Sequence, residues 1–180
     1  MRLVLWLFAG VILGLIIHIA VILGPPSLAS QNVWSRIEAT APANKVVVLP
    51  VTAVGAPNPL QLDPTLSYAV CRVNLAAGPA VLNGVLPDAF WSLAIFNRAG
   101  AVVYSTTNRD GIGQNLNLGI FNAAQTHLLA EQQIEVADGL LIVESNANDV
   151  FVVIRVAPPH EAMRKRYETA LSGIVCGNIK

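Results

Sequence analysis

The densest polar stretch of the chain outside its amino-terminal region is Thr106-Thr107-Asn108-Arg109-Asp110-Gly111, followed by Gly113, Gln114, Asn115 and Asn117. Arg109 offers a planar fork suited to a carboxylate or phosphate, and Asn108 and Asp110 with the neighbouring glycine amides could complete an anion or sugar pocket. Arg72, with Tyr104 as a wall, would extend the same site. A plainer reading competes: Arg109 pairs with Asp110, and Asp110-Gly111 turns the chain. Arg72 and Arg155 both fall mid-strand among apolar neighbours, so each either lies on a wet face or meets a buried acid such as Glu144 or Glu131.

Cys71 and Cys176 are the two cysteines. In an oxidising compartment they can bridge, closing a loop of about 100 residues for roughly 4 to 5 kcal/mol of stability; otherwise one is a buried strand thiol and the other a tail thiol. Two thiols without an adjacent histidine do not make a metal site. The three histidines are His18, His127 and His160. His127, Glu131 and Glu135 could ligate a metal only if their strands converge. His18 sits in an apolar run near its outer end, where a neutral imidazole reaches interfacial water; the alternative is a proton relay or haem ligand. No nucleophile elbow, phosphate loop, dinucleotide fingerprint or His-Glu-x-x-His occurs. No catalytic residue, metal or cofactor is predicted, and the balance stands against an enzyme.

What must position these residues begins with a membrane element. Residues 1–24 hold one basic residue, no acid and an apolar run from Leu3 to Leu23, which as a helix spans roughly 30 Å, the thickness of a bilayer core. Ser27-Leu28-Ala29-Ser30 resembles a signal-peptidase site, but the run exceeds the usual h-region of about 7 to 15 residues, so an uncleaved anchor is expected. Arg2 precedes the span while Arg36 and Lys45 lie well beyond it, which places the amino terminus in the cytoplasm and the rest outside, in the periplasm of a two-membrane bacterium. Gly10 and Gly14 have the small-xxx-small spacing that lets two membrane helices approach, so the partners expected are lipid and either another membrane protein or a second copy. Eleven Lys and Arg balance eleven Asp and Glu, which leaves no basic field for nucleic acid.

Beyond the span, Gly24-Pro25-Pro26 is expected to stop the helix. Residues 25–44 read as a linker carrying a short interfacial helix, N-capped by Ser30, with Val33, Trp34 and Ile37 on one stripe; Trp34 either touches headgroups or packs under the domain. Residues 45–180 read as one β-domain with a C-terminal amphipathic helix. Short β-branched and aromatic runs predict strands at 45–49, 67–75, 80–84, 90–97, 101–106, 115–121, 126–130, 133–136, 140–145 and 150–156. Arg98-Ala99-Gly100 and Ala137-Asp138-Gly139 are expected hairpin turns, and Asn146-Ala147-Asn148-Asp149 the next corner. Alternation puts Ala69, Cys71, Val73 and Leu75 on one face and leaves residues 150–156 with little that must face water. The fold class predicted is mainly β, an antiparallel β-sandwich or small barrel of jelly-roll type. After Pro158-Pro159, Met163, Tyr167, Ala170, Leu171 and Ile174 form the docking stripe of the last helix. Glu161 with Lys165 and Arg164 with Glu168 are expected i,i+4 pairs on its wet side.

Asp63-Pro64-x-x-x-Tyr68-x-Val70-Cys71-Arg72, Gly78-Pro79, Pro87-Asp88-x-Phe90-Trp91-Ser92-Leu93-x-Ile95-Phe96 and Tyr104-Ser105-Thr106-Thr107-Asn108-Arg109 resemble bacterial membrane-anchored proteins of the DUF 1254 type, a domain of unknown function. The resemblance covers residues 45–156 and implies a β-sandwich and a bacterial origin; larger relatives have two β-rich parts, and no catalytic residue transfers. Three functional readings follow: a single-pass inner-membrane protein whose periplasmic domain is a non-catalytic accessory, binding or envelope module; a ligand-binding or weakly catalytic domain using the Asn/Arg loop; or a small subunit of a larger membrane complex.

Overall fold

The computed structural model describes residues 2–28, 32–53, 55–110, 113–131 and 139–179. Ser30, Glu135, the predicted strand at 133–136 and the Ala137-Asp138 turn lie outside the described residues. The chain divides into two compact units, 1–32 and 33–180.

The first unit is the helix α1 (Arg2–Leu28). Its stretch Arg2–Gly24 is long and apolar enough to cross a membrane, and none of it is buried in the protein. A helix that is apolar all round needs a protein or lipid interior on every side; anchors and signal sequences share that property. The helix does not stop at Gly24 as expected but continues through Pro25 and Pro26. Proline's fixed φ is itself compatible with helical backbone.

The second unit opens with α2 (Val33–Thr40), then carries β1 (Val47–Val48), β2 (Ser67–Asn74), β3 (Ala80–Val85), β4 (Phe90–Asn97), β5 (Val102–Thr107) and β6 (Asn115–Asn122). There follow α3 (Ala123–Glu131), β7 (Leu141–Ser145), β8 (Asp149–Ala157), α4 (Arg164–Ser172) and β9 (Val175–Asn178). The strands form two sheets, one in the order β1-β2-β8-β4-β5 and the other β7-β6-β3-β9. Every pair is antiparallel except β6 with β7. The strand-rich expectation holds at this level, while four helices make the chain mixed, and the two sheets do not close into a barrel.

Three local readings are corrected. Residues 126–130 are helical, within α3, because Asn122 and Gln125 cap it reciprocally: each side-chain oxygen accepts from the other's amide at 2.9 Å, an arrangement that starts helices. The expectation of an antiparallel sheet throughout is corrected at β7, which pairs parallel with β6 and so needs a crossover between them. The tail around Cys176 is the strand β9, paired with β3 from Leu82↔Cys176 to Ala80↔Asn178.

One hydrophobic cluster draws on both sheets: Cys71, Val73, Trp91, Leu93 and Ile154 from the first, Leu82, Leu118 and Ile120 from the second, with Tyr167 and Leu171 of α4. The alternation expected along β2 is observed, Ala69, Cys71 and Val73 entering this cluster while Tyr68 and Val70 face the other way. That opposite face is also apolar. Tyr68, Val70 and Phe151 meet Trp34 and Ile37 of α2 in a second cluster, with Phe96 and Val153 at its edge. Of the two settings open to Trp34, it takes the one under the domain, 6% exposed. Cys71 and Cys176 form a disulfide with Cα atoms 6.5 Å apart, joining β2 of one sheet to β9 of the other.

Arg164 departs from its predicted place on the wet face of the last helix. It is buried, pairs with Glu161 at 2.6 Å and donates to the carbonyls of Leu66 (3.1 Å) and Pro64 (2.8 Å). The i,i+4 partner Glu168 loses to Glu161 because the buried guanidinium turns toward the Pro64 and Leu66 carbonyls, which satisfy its remaining donors.

Candidate functional site

The residues expected to share a ligand site are separated. Asn108, Arg109 and Asp110 are exposed beyond the end of β5. Asp110 takes the turn role: its carboxylate accepts from the Thr107 amide at 2.6 Å and from the hydroxyls of Thr106 and Thr107 at 3.1 Å. Those bonds, the backbone one foremost, hold its pKa below the ordinary carboxylate value. Asp110 is therefore engaged by threonines rather than by Arg109, which has no ion pair among the described residues. The Asn108 side chain reaches the Ala89 carbonyl at 3.5 Å, and its amide donates to the Trp91 carbonyl at 3.2 Å. Tyr104 is half-buried against the core between the sheets.

Arg72 lies elsewhere. The register Arg72↔Phe151↔Phe96↔Val102 sets it at the opposite end of the sheet from Thr107, three strand spacings of about 4.8 Å away across the sheet as well. Its acid is neither Glu144 nor Glu131 but Glu38 of α2, at 2.8 Å. Its Nε donates to the Ala41 carbonyl at 2.9 Å, and its guanidinium stands 5.4 Å from the Trp34 ring centre, with that of Arg98 at 5.7 Å. Arg98 in turn pairs with Asp149 at 3.5 Å. Every charge in this cluster has a partner, so its chemistry is structural: it clamps α2 onto the sheet.

The other candidates are equally placed. His127 lies on α3, not in a strand, 3.4 Å from Glu131 one turn on, and both are exposed. No group of three metal-ligating side chains occurs among the described residues. Gly10 and Gly14 lie in α1 with nothing within 4 Å of a Cβ at either.

A concavity does exist on the outer face of the first sheet. Phe151 and Val153 of β8, Val70 of β2 and Phe96 of β4 form its floor, and Ile37 of α2 with Leu60 and Leu62 forms its walls. It is an open groove of about 300 Å³. Phe96 stacks on Phe151 at 5.1 Å, which fixes one end. Arg155 stands at the other, and among the described residues it is the only charged one lining the groove. Beyond it a second hollow of about 290 Å³ continues along Leu66, Phe90, Ser92 and Ala157. Arg155 is exposed, and no hydrogen bond or ion pair engages its side chain among the described residues.

The wall of the groove is a built loop. Asn58 donates to the Leu62 carbonyl and accepts from the Leu62 amide, both at 2.8 Å. This holds Gln61 at φ 53°, the left-handed region that a side chain rarely adopts. Arg36 donates to the Pro59 carbonyl, the Asp63 amide donates to the Tyr68 hydroxyl at 3.0 Å, and Arg164 holds Pro64 and Leu66. Sequence reasoning did not place a site here. Its signal was the two-faced apolarity of residues 150–156, which implies cover on both sides of β8 without saying what supplies it.

No family model matches the chain, and no curated protein matches it. Among solved structures, it is similar to the crystal structure of the VPA0106 protein from Vibrio parahaemolyticus, with a TM-score of 0.57 and 12% identity over 81% of this chain. The chain spans about a third of that protein's length, 34%. Identity at that level speaks to fold alone.

Proposed function

We propose that this chain is a single-pass inner-membrane protein of a bacterium whose periplasmic domain is a non-catalytic binding or accessory module. The domain is read as a two-layer β-sandwich of jelly-roll kind, since one core draws on both sheets. The observation that carries the proposal is the Arg2–Gly24 stretch of α1: 23 residues long enough to span a bilayer, with no part buried in protein to satisfy their apolar surface. The Cys71–Cys176 disulfide supports an oxidising compartment. On the DUF 1254 resemblance, this chain is shorter than relatives that have two β-rich parts.

Alkaline carbonate extraction of membranes tests the anchor. The chain is expected in the membrane pellet with its amino terminus intact and its domain accessible to protease only from the periplasmic side. A mature chain beginning near Gln31 in the aqueous extract overturns the proposal. The ligand-binding reading is favoured at one place, the groove closed by Arg155, and no longer at the Asn108–Asp110 loop.

A further inference from the structure

A sheet face as apolar as the outer side of β2, β8 and β4 is normally covered along its length, because each exposed aliphatic or aromatic side chain forgoes the stability of burial. Here α2 and the loop carrying Leu60 and Leu62 cover it only in part, and the loop is held there by bonds of its own. Asn58 grips Leu62 twice, and Gln61 keeps a left-handed backbone that a relaxed loop would abandon. Strain maintained beside a concavity is characteristic of ligand sites. The floor from Phe151 to Arg155 runs four residues of strand, about 13 Å.

Resting on the reading of the domain as a membrane-tethered binding module, we infer that this groove holds a single-chain fatty-acid anion, its tail over Phe151 and Val153 and its carboxylate on Arg155. The chemistry is complementary at both ends. Apart from Arg155 the described lining residues carry no charge, so the tail meets apolar and neutral surface. Arg155 has an unshared guanidinium fork, and a carboxylate matches it with two parallel hydrogen bonds. A cavity of about 150 Å³ accommodates benzene; the groove, at about 300 Å³, has room for a chain of about twelve carbons by the same measure.

The test uses the full chain in phosphatidylcholine nanodiscs, with radiolabelled dodecanoate at pH 8 and empty discs as the blank. Saturable binding of one dodecanoate per chain is expected above the blank. Arg155→Gln, at an exposed residue without a partner, leaves the melting temperature unchanged and weakens dodecanoate binding about tenfold, the factor equivalent to 1.4 kcal/mol. Dodecan-1-ol, which has the tail without the charge, binds both chains alike. Val153→Trp fills the groove and abolishes uptake of both compounds; should that variant fail to fold, Arg155→Gln still decides. No saturable binding above empty discs, or equal dodecanoate affinity of the native and Arg155→Gln chains, overturns the inference. An embedded chain that ignores dodecanoate refutes the groove and spares the anchor, whereas a chain free in aqueous extract that still takes up dodecanoate does the opposite.

Discussion

The disulfide is the strongest single constraint on the domain, and its loss has a calculable effect. Cys71 and Cys176 are separated by 105 residues, so by the chain-entropy relation their bond removes about 4.8 kcal/mol of freedom from the unfolded chain. For a folded unit of about 150 residues, at roughly 2.1 cal/mol/K of unfolding entropy per residue, this corresponds to a melting temperature about 15 °C lower on reduction. The decisive comparison is the same full chain, oxidised and reduced, melted by near-ultraviolet circular dichroism of Trp34 and Trp91, both buried. A Cys71→Ala/Cys176→Ala variant is expected to behave as the reduced chain. Hydrogen exchange locates the effect: β9, an edge strand, is expected to lose protection first because the bond is its covalent tie to β2, leaving the Asn178–Asn74 hydrogen bond to hold the two. Equal melting with and without reductant, after mass spectrometry confirms that the oxidised sample has no free thiol, refutes the reasoning.

Gly78 has φ 141°, and a Cβ there would meet the Ile179 carbonyl oxygen at 2.8 Å; Gly78→Ala should cost about 1 to 3 kcal/mol in thermal melts, more than Gly100→Ala, whose Cβ meets nothing. Arg72→Ala removes the Glu38 pair, the Ala41 hydrogen bond and the contact with Trp34. Urea denaturation should register a loss of about 1 to 3 kcal/mol and a change in Trp34 emission, while Arg109→Ala should stay within about 0.5 kcal/mol; equal losses at the two sites would contradict the clamp. Asp63, Asp110 and Glu161 all have folded pKa values below their ordinary ones, through hydrogen bonds from Thr65, Thr107 and Arg164 respectively. Their stabilisation is therefore complete above the unfolded carboxylate values of about 4 and is lost as pH falls through the folded values. Melting temperature is expected to fall below about pH 4, less steeply in Asp110→Asn and Glu161→Gln; identical acid limbs would show that these bonds contribute nothing.

The amino-acid sequence alone determined the apolar helix, most of the strands and the docking stripe of α4. These follow from local properties: an unbroken apolar run, period-two alternation, and a periodic stripe ended by Gly173. The helix at α3 was equally local, written in the Asn122-x-x-Gln125 cap, but a short apolar run fits strand and helix alike. The tertiary structure decided what depends on distant partners. The parallel β6–β7 pair, the strand role of the tail, the meeting of Cys71 with Cys176 and the pairing of Arg72 with Glu38 all join segments that no spacing relates. The groove belongs with these: alternation showed that both faces of β8 are apolar, yet only the packing of α2 and the Leu60–Leu62 wall fixed which part stays open beside Arg155. Burial of one face is a property of a strand, whereas a concavity is a property of everything that fails to cover it.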